Sequence, residues 1–245
     1  MKIKKRLDQR VQELYSQYSR NQIQSFIMQN KVSVNGTVVA KPGIAVKDED
    51  IITVVAEEPK YVCRAGWKLE KALDTFGINP TGLVVLDAGL STGGFTDCLL
   101  QRGAARIYGI DVGYGQVHEK IRRDPRVKVY ERTNLRYLKD LPEKVDLVTL
   151  DLSFISLLKV MDAIVSLMQD NGQLVTLIKP QFEAERYEVG RGGIIKDPEV
   201  HKRVLEKVVR AIESYGFSYQ GSRESPILGS SGNKEFLAFF KRMSA

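Results

Sequence analysis

The sequence has few of the residues that metal sites and disulfide frameworks require. Its 245 residues include two cysteines and two histidines, and Cys63 and Cys98 lack the spacing of metal ligands. This composition argues against a structural zinc site, and we predict no bound metal. Such sparing use of cysteine is also typical of a protein that works in a reducing, cytoplasmic setting.

Uninterrupted apolar segments are also lacking. The first ten residues are highly charged and no apolar core follows them, so we expect no secretory signal peptide. Residues 145–168 form the most apolar region, but four charged side chains interrupt it and argue against a membrane span. These are Asp146, Asp151, Lys159 and Asp162. We therefore expect no association with a membrane.

Positive charge is concentrated at the start of the chain. Residues 1–41 contain eight lysines and arginines against two acidic residues, which accounts for six of the seven net positive charges. Such a surface suits a polyanion, because each neutralised phosphate releases counterions. A solvated basic face that only aids solubility would have the same composition.

Residue patterns predict a small α+β unit over residues 1–58. Helical spacing is found over residues 6–14 and 20–29, and Ser19 is a suitable cap for the second helix. Strands are expected at 31–34 and 37–39, joined by the hairpin turn Asn35-Gly36, and at 51–55. A linker over residues 59–65 is expected to follow.

Residues 66–245 alternate between strand and helix patterns. After a first helix at 66–76, strands are expected at 84–87, 106–111, 127–130, 145–151 and 173–178, and a long helix begins at Pro198. Two closing strands, 217–223 and 235–241, are expected to form an antiparallel edge. The alternation predicts an α/β fold with a Rossmann-like, doubly wound mixed sheet.

A glycine-rich loop follows the first of these strands. The strand ends at Asp87, and a helix pattern begins directly after the loop, an arrangement that brings backbone N–H groups to a ligand at the carboxyl edge of the sheet. The loop residues expected to contact the ligand are Gly89, Ser91, Gly93, Gly94 and Phe95. The loop matches neither the P-loop nor the dinucleotide-binding motif. An acid beside such a turn suits S-adenosylmethionine, and an ordinary tight turn is the alternative.

Two further residues are candidates for contact with this cofactor. Asp111 ends the second strand, where an acid accepts hydrogen bonds from ribose hydroxyls in nucleotide-binding folds. Asn134 follows the third strand and is either a contact to the adenine or ribose or a turn asparagine. Asp151, at the end of the fourth strand, also belongs to the expected cofactor site.

Four charged residues are expected to meet at the same edge. Asp151 and Lys179 end the fourth and fifth strands, Glu235 begins the antiparallel last strand, and Lys68 lies on the first helix. Methylation of a hydroxyl requires a base, and burial beside a second positive charge favours the neutral, basic form of a lysine. We predict Lys179 as the base, tuned by the other three. A structural ion-pair cluster is the alternative.

These motifs carry a resemblance that covers nearly the whole chain. The second unit resembles the FtsJ-type RNA 2′-O-ribose methyltransferases in its loop from Asp87 to Phe95 and in a Lys-Asp-Lys-Glu tetrad. The first unit resembles the RNA-binding module named after small-subunit ribosomal protein S-four, in residues 6–8, 19–20, 32–36 and 50–52. Their order, with Arg-Ala-Gly-Trp-Lys-Leu at 64–69 and Gly-Arg-Gly-Gly at 190–193, resembles the TlyA family of haemolysins or rRNA methyltransferases.

This resemblance implies S-adenosylmethionine-dependent methylation of cytidine 2′-hydroxyls in ribosomal RNA, with ribosomal subunits as partners. The candidate RNA-binding residues are Lys4, Lys5, Arg6, Arg10, Ser19, Arg20, Lys31 and Asn35. Phe95 stands where the wider FtsJ pattern often has tryptophan and Asn134 where it often has aspartate, which affects affinity more than activity. The loop at 190–193 is either a lid over RNA or a plain surface loop. No protein partner is indicated.

Two other classes of function remain as alternatives. One is a non-catalytic RNA-binding or ribosome-assembly factor with a relict fold, against which the intact tetrad argues. The other is a pore-forming haemolysin, against which the lack of a signal peptide, a membrane span or a long amphipathic helix argues.

Overall fold

The computed structural model describes residues 4–55, 59–229 and 231–243. The chain divides into two compact units, residues 1–59 and 60–245. Within the described residues, no helix is long and apolar enough to cross a membrane.

The first unit combines two helices with two small antiparallel sheets. Its elements are β1 (Lys4–Arg6), α1 (Leu7–Leu14), α2 (Arg20–Met28), β2 (Val32–Val34), β3 (Thr37–Val38), β4 (Ala45–Lys47) and β5 (Ile52–Val54). Strands β3, β2 and β5 form one sheet in that order, and β1 pairs with β4 in the other. The predicted helices, the hairpin and the last strand are confirmed; β1 and β4 were not predicted, because three-residue strands leave almost no periodicity.

An apolar core holds the first unit together. The helical spacing of Ile23, Phe26 and Ile27 places all three on the buried face of α2. They pack with Leu7 and Val11 of α1, and Val32, Val46 and Ile52 of the strands complete the cluster. Burial of these side chains supplies the main driving force for folding so small a unit.

A seven-stranded mixed sheet organises the second unit. Its strands are β6 (Val84–Ala88), β7 (Arg106–Ile110), β8 (Val127–Tyr130), β9 (Val145–Leu150), β10 (Met168–Ile178), β11 (Phe217–Glu224) and β12 (Phe236–Arg242). The spatial order is β11-β12-β10-β9-β6-β7-β8. Strands β6 to β10 pair in parallel, whereas β12 is antiparallel to both β10 and β11. The predicted doubly wound mixed sheet with an antiparallel edge is therefore confirmed.

Helices cover both faces of this sheet. They are α3 (Ala65–Phe76), α4 (Gly94–Gln101), α5 (Glu119–Arg123), α6 (Met161–Leu167), α7 (Pro180–Glu183) and α8 (Pro198–Glu213). Because side chains alternate across a strand, Val85, Leu147 and Val175 pack on the face with α3 and α4, while neighbouring residues pack on the face with α6 and α8. The sheet is thus buried on both faces, as parallel sheets usually are.

Strand β10 departs from the expected boundary. It begins at Met168 rather than near Gln173, and its register against β9 shifts between these two residues. Residues 169–171 within the shift are exposed and include Asn171 at a φ of +64°. Because this segment is polar and turn-like, the sequence pattern does not predict that the strand begins before it.

Close packing at the start of α3 generates a prediction about stability. A Cβ on Gly66 would overlap the ring of Tyr61, which is buried. We expect Gly66→Ala to lower the free energy of unfolding by about 1–3 kcal/mol, because the ring or the helix has to shift. Denaturant unfolding would measure this loss. Lys71→Ala, an exposed change on the same helix, should stay within about 0.5 kcal/mol of the unsubstituted chain; equal effects of the two changes would contradict the packing argument.

Candidate active site

Two glycines shape the loop between β6 and α4. Gly89 has a φ of +86°, and a Cβ there would overlap the carbonyl oxygen of Asp151. Gly93, at a φ of +98°, caps α4, and its Cβ would lie 2.9 Å from the side chain of Ile121. Both positions therefore need glycine, for a left-handed backbone and for close approach. The loop is held against β7 because the N–H groups of Gly89 and Leu90 both donate to the carbonyl of Ile110.

Asp87 lies beneath this loop rather than on its surface. Its side chain is buried and accepts hydrogen bonds from the hydroxyls of Thr96, at 2.6 Å, and Thr149, at 2.8 Å. Burial raises the pKa of the Asp87 carboxyl to about 6, against the lowering effect of the two hydroxyls. The residue ties the end of β6 to α4 and to β9, and so fixes the shape of the loop.

A cavity of about 540 Å³ opens at the carboxyl ends of β6, β7 and β9. This is the edge of an open α/β sheet at which ligands bind, and the volume is in the usual range for a small-molecule site. Its walls combine apolar side chains, Ile110, Leu135 and Val160, with polar groups of the surrounding loops.

The predicted cofactor residues divide into two groups. The cavity is lined by Gly89, Ser91, Asp111, Asn134 and Asp151. The remaining four do not line it. They are Asp87, Gly93, Gly94 and Phe95. A Cβ on Gly94 would come within 2.5 Å of Cys63 Sγ, and Phe95 is buried in the core beside α3. These four residues stabilise the conformation of the loop without lining the cavity.

The carboxylate of Asp111 is held in place by backbone donors. Its Oδ2 accepts from the N–H of Ser91 at 2.7 Å and its Oδ1 from the N–H of Gly113 at 2.6 Å. Each carboxylate oxygen has further acceptor capacity, so hydroxyl donors can still bind. Asn134 caps the short turn 135–137, since its Oδ1 accepts from the N–H of Arg136 at 3.1 Å. The expected role of Asn134 in a turn is confirmed, and its contact with the adenine or ribose stays a prediction.

The four charged residues predicted to meet form two ion pairs. Lys68 Nζ donates to Glu235 Oε2 at 2.6 Å, and both side chains are buried. Lys179 Nζ lies 2.7 Å from Asp151 Oδ1 and donates a hydrogen bond to Ser153 Oγ at 2.8 Å. The contact with Asp151 is an ion pair without good hydrogen-bond alignment, because Oδ1 has no hydrogen-bond partner among the described residues.

Strand register links the two pairs. Ile178 at the end of β10 lies opposite Phe236 at the start of β12. The next position of this antiparallel register therefore sets Lys179 level with Glu235. Asp151, the partner of Lys179, lines the cavity. The tetrad thus extends inward from the cavity wall along the end of the sheet.

Three residues near the tetrad were not predicted. Ser153 lines the cavity and accepts from Lys179. Phe154 also lines it, with 91% of its surface exposed and a φ of +64°, a strained backbone for a non-glycine residue. Glu183 is buried and accepts from Ser156 Oγ and from the N–H of Leu157, which ties the loop after Asp151 to α7 after Lys179. No spacing in the sequence marks these residues.

Glu183 is a second carboxyl whose pKa is raised by burial. Its two donors lie directly after residues 151–155, and α7, which bears it, follows Lys179. It thereby fixes the carboxyl-terminal end of the segment that carries Asp151, Ser153 and Phe154.

The candidate RNA-binding residues of the first unit differ in how freely their polar groups are presented. Lys5 and Arg10 both pair with Glu13, and Arg6 pairs with Asp8. Ser19 forms a capping box with Gln22, and Asn35 bonds to Asp50 and to the N–H of Ile51. Arg20 is exposed and lies 3.7 Å from Asp8, and Lys4 and Lys31 have no carboxylate partner within the described part of the chain.

The loop at 190–193 is tied down at its end. The buried side chain of Asn233 donates to the carbonyl of Gly193 at 2.8 Å and accepts from the N–H of Ile195 at 2.9 Å. The glycines at 192 and 193 have positive φ angles. Asn233 stands two residues before Glu235, so this loop is joined to the segment that leads into the tetrad.

Comparison with known proteins agrees with these two units. The FtsJ-like methyltransferase family model matches residues 61–242, and the S4 domain model matches residues 5–52. The chain is 44% identical over 228 residues to the 16S/23S rRNA (cytidine-2′-O)-methyltransferase TlyA of Mycobacterium tuberculosis, covering 91% of this chain and 84% of the relative. It is 42% identical to Hemolysin A of Brachyspira hyodysenteriae, covering 96% and 99%.

A solved structure extends the agreement to three dimensions. A Streptococcus thermophilus protein described as a candidate hemolysin superposes with a TM-score of 0.76 at 38% identity, covering 99% of this chain and 90% of that one. The sheet order and the loop after β6 define a Rossmann-like methyltransferase fold. Within that class, the chain belongs to the FtsJ-like methyltransferases and to their TlyA family.

The burial of Asp87 generates a prediction about pH. Its folded-state pKa of about 6 lies above the value of about 3.8 expected in an unfolded chain, so the folded state binds the extra proton between these values. The contribution of Asp87 to the free energy of unfolding therefore falls as pH rises from about 4 to 6, by about 3 kcal/mol at most. Asp87→Asn should gain stability relative to the unsubstituted chain over this interval, as measured by denaturant unfolding.

A matched control is Asp140→Asn, at an exposed aspartate of the same unit. Its difference from the unsubstituted chain should change little between pH 4 and 7. A flat difference for Asp87→Asn would show that burial does not penalise its charge.

Proposed function

We propose that this protein is an S-adenosylmethionine-dependent 2′-O-ribose methyltransferase that acts on cytidine in ribosomal RNA. Residues 1–58 would serve as the RNA-binding domain and residues 66–245 as the methyltransferase domain, joined by 59–65. The observation that carries the proposal is the Lys179–Asp151 pair, 2.7 Å apart, at the wall of a nucleoside-sized cavity. The rRNA (cytidine-2′-O)-methyltransferase activity named for the Mycobacterium tuberculosis relative supports the same substrate class.

The cavity fits the proposed cofactor. Asp111 presents a fixed carboxylate suited to ribose hydroxyls, and Gly89 borders the cavity with its backbone alone. Asn134 and the apolar side chains of Ile110 and Leu135 offer surfaces for an adenine ring. When bound, S-adenosylmethionine supplies an electrophilic methyl group. Asp151 borders the same cavity on the side of Lys179.

Lys179 is the proposed general base. A ribose hydroxyl has to lose its proton as its oxygen is methylated, and a positioned side chain typically contributes a rate factor of about 10²–10⁴. Lys179 Nζ would accept that proton in its neutral form, after the ammonium group paired with Asp151 has released one proton to solvent. Asp151 and Ser153, at 2.7 and 2.8 Å, hold the resulting ammonium group and keep it aimed at one place.

The Lys68–Glu235 pair is proposed to orient this base. Both side chains are buried, so their charges require each other: loss of one partner would leave an uncompensated buried charge. The strand register sets Glu235 level with Lys179. The pair therefore supplies a fixed electrostatic background beside the base, with no mobile charges to reorganise during the reaction.

A methyl-transfer experiment tests the proposal. Unmodified ribosomal subunits and tritiated S-adenosylmethionine should give label in cytidine 2′-O-methyl groups, and Lys179→Ala should reduce transfer by at least about 100-fold. Calorimetry should show cofactor binding by both proteins. Lys159→Ala, at an exposed lysine of the same unit, is the matched control and should retain activity. Full transfer by Lys179→Ala would remove Lys179 as the base, and absence of cofactor binding would refute the methyltransferase function.

The exposed ring of Phe154 is proposed to stack on RNA at the mouth of the cavity. It packs against Phe182 with ring centroids 5.3 Å apart, which supports it from one side only. Stacking of a base on an aromatic side chain contributes about 1–3 kcal/mol, so Phe154→Ala should weaken productive RNA binding about 5- to 150-fold. Cofactor affinity should stay unchanged.

Steady-state kinetics with ribosomal subunits would measure this effect. Tyr187→Ala, at another highly exposed aromatic residue of the unit, serves as the comparison. Equal kinetics of Phe154→Ala and the unsubstituted enzyme would contradict the stacking role.

A further inference from the structure

A buried carboxylate lies between two exposed arginines in the first unit. Asp8 accepts a two-pronged hydrogen bond from Arg6, with Nε to Oδ1 and Nη2 to Oδ2 both at 3.0 Å. Nη2 of Arg20 lies 3.7 Å from the same Oδ2. The two guanidinium groups are therefore neighbours, joined through one anion. Both arginine side chains are at least half exposed, whereas that of Asp8 has no exposed surface.

Several elements of the unit converge to hold this carboxylate. Asp8 lies in the first turn of α1 and accepts from the N–H of Gln9, while Gln24 of α2 donates to its Oδ2 at 3.1 Å. The bond from Arg6 lowers the pKa of the Asp8 carboxyl to about 2, so it stays ionised at neutral pH. Gly43 leaves room beside Arg6, since a Cβ there would lie 3.3 Å from Nη1.

We propose that Asp8 is a positioning residue that fixes Arg6 and Arg20 as one phosphate-binding pair. The inference rests on the proposed function as an RNA-modifying enzyme and extends it to a residue that does not itself face RNA. An arginine free in solvent has to give up side-chain entropy when it binds a phosphate. Anchoring the guanidinium of Arg6 beforehand reduces that loss and sets the spacing of the two cations.

The charge of Asp8 acts in the opposite direction. As an anion beside two cations, it lowers the positive potential that attracts phosphate. If charge alone mattered, removing Asp8 would tighten RNA binding. If positioning matters more, removing it would weaken RNA binding. The sign of the effect therefore separates the two explanations.

The experiment compares Asp8→Asn with Glu13→Gln in the full chain. Glu13 pairs with Lys5 and Arg10 but is itself 44% exposed, so the control removes the same charge without dismantling a buried anchor. Binding to unmodified ribosomal subunits, and the KM and kcat of methylation, are measured together. We expect about tenfold weaker binding and a higher KM for Asp8→Asn, with kcat and cofactor affinity unchanged. Glu13→Gln should bind as tightly as the unsubstituted chain, or more tightly.

A second comparison separates positioning from folding. In an Arg6→Ala chain, Asp8 has lost its main partner, so Asp8→Asn should weaken RNA binding about twofold or less. A tenfold loss that persists in that background would overturn the inference, because Asp8 would then act on the unit as a whole. Unchanged or tighter binding by Asp8→Asn in the otherwise unsubstituted chain would overturn it as well.

The binding readout keeps this inference separate from the proposed function. If the unsubstituted chain binds subunits but transfers no methyl group, the proposed function fails, and the sign of the Asp8→Asn effect on binding still decides the role of Asp8. If methyl transfer occurs and Asp8→Asn leaves binding and KM unchanged, only the present inference fails.

Discussion

The antiparallel pairing of β12 with β10 is the constraint on which the candidate active site depends. It places Phe236 opposite Ile178, and thereby brings Glu235 to the edge where the parallel strands end. A parallel strand in that place would carry its first residue to the opposite edge of the sheet. Glu235 would then be separated from Lys68 by the length of the strand, too far for an ion pair. The reversal of one edge strand thus completes a charged cluster that the parallel strands supply only in part.

The same edge concentrates groups that cost stability. Among the described residues no cation pairs with the buried Asp87, whereas Lys68 and Glu235 are buried as a pair. Such arrangements gain little net stability, because desolvation opposes the attraction between the charges. Their advantage lies in fixed geometry: the loop above Asp87 and the side chain of Lys179, the proposed base, are held in place before any ligand arrives. The apolar packing on both faces of the sheet offsets the free-energy cost of burying these charged groups.

Sequence patterns predicted the order of strands and helices well, since alternation and helical spacing depend on burial alone. They placed Asp151, Lys179 and Glu235 at one edge because the ends and directions of the strands follow from that order, and the structure pairs Lys179 with Asp151 and Lys68 with Glu235. They could not separate residues that line the cavity from those behind it: Asp87 and Ser91 belong to one motif, yet Thr96 and Thr149 draw Asp87 into the core. Phe154 was not predicted, because its positive φ and its exposure follow from the fold and leave no pattern of residue spacing in the sequence.

Charge counts have a related limit in the first unit. The excess of basic residues indicates a polyanionic partner, but it treats every cation as equivalent. In the structure Lys5 and Arg10 share Glu13, while Arg6 and Arg20 share Asp8. The two acids differ in burial: Glu13 is exposed and can exchange partners, whereas Asp8 is enclosed and bonded from four sides. An anion enclosed in this way lowers the positive potential of the surface, but it also restricts the cations around it. Under the proposed positioning role, the restriction of Arg6 and Arg20 outweighs the loss of positive potential.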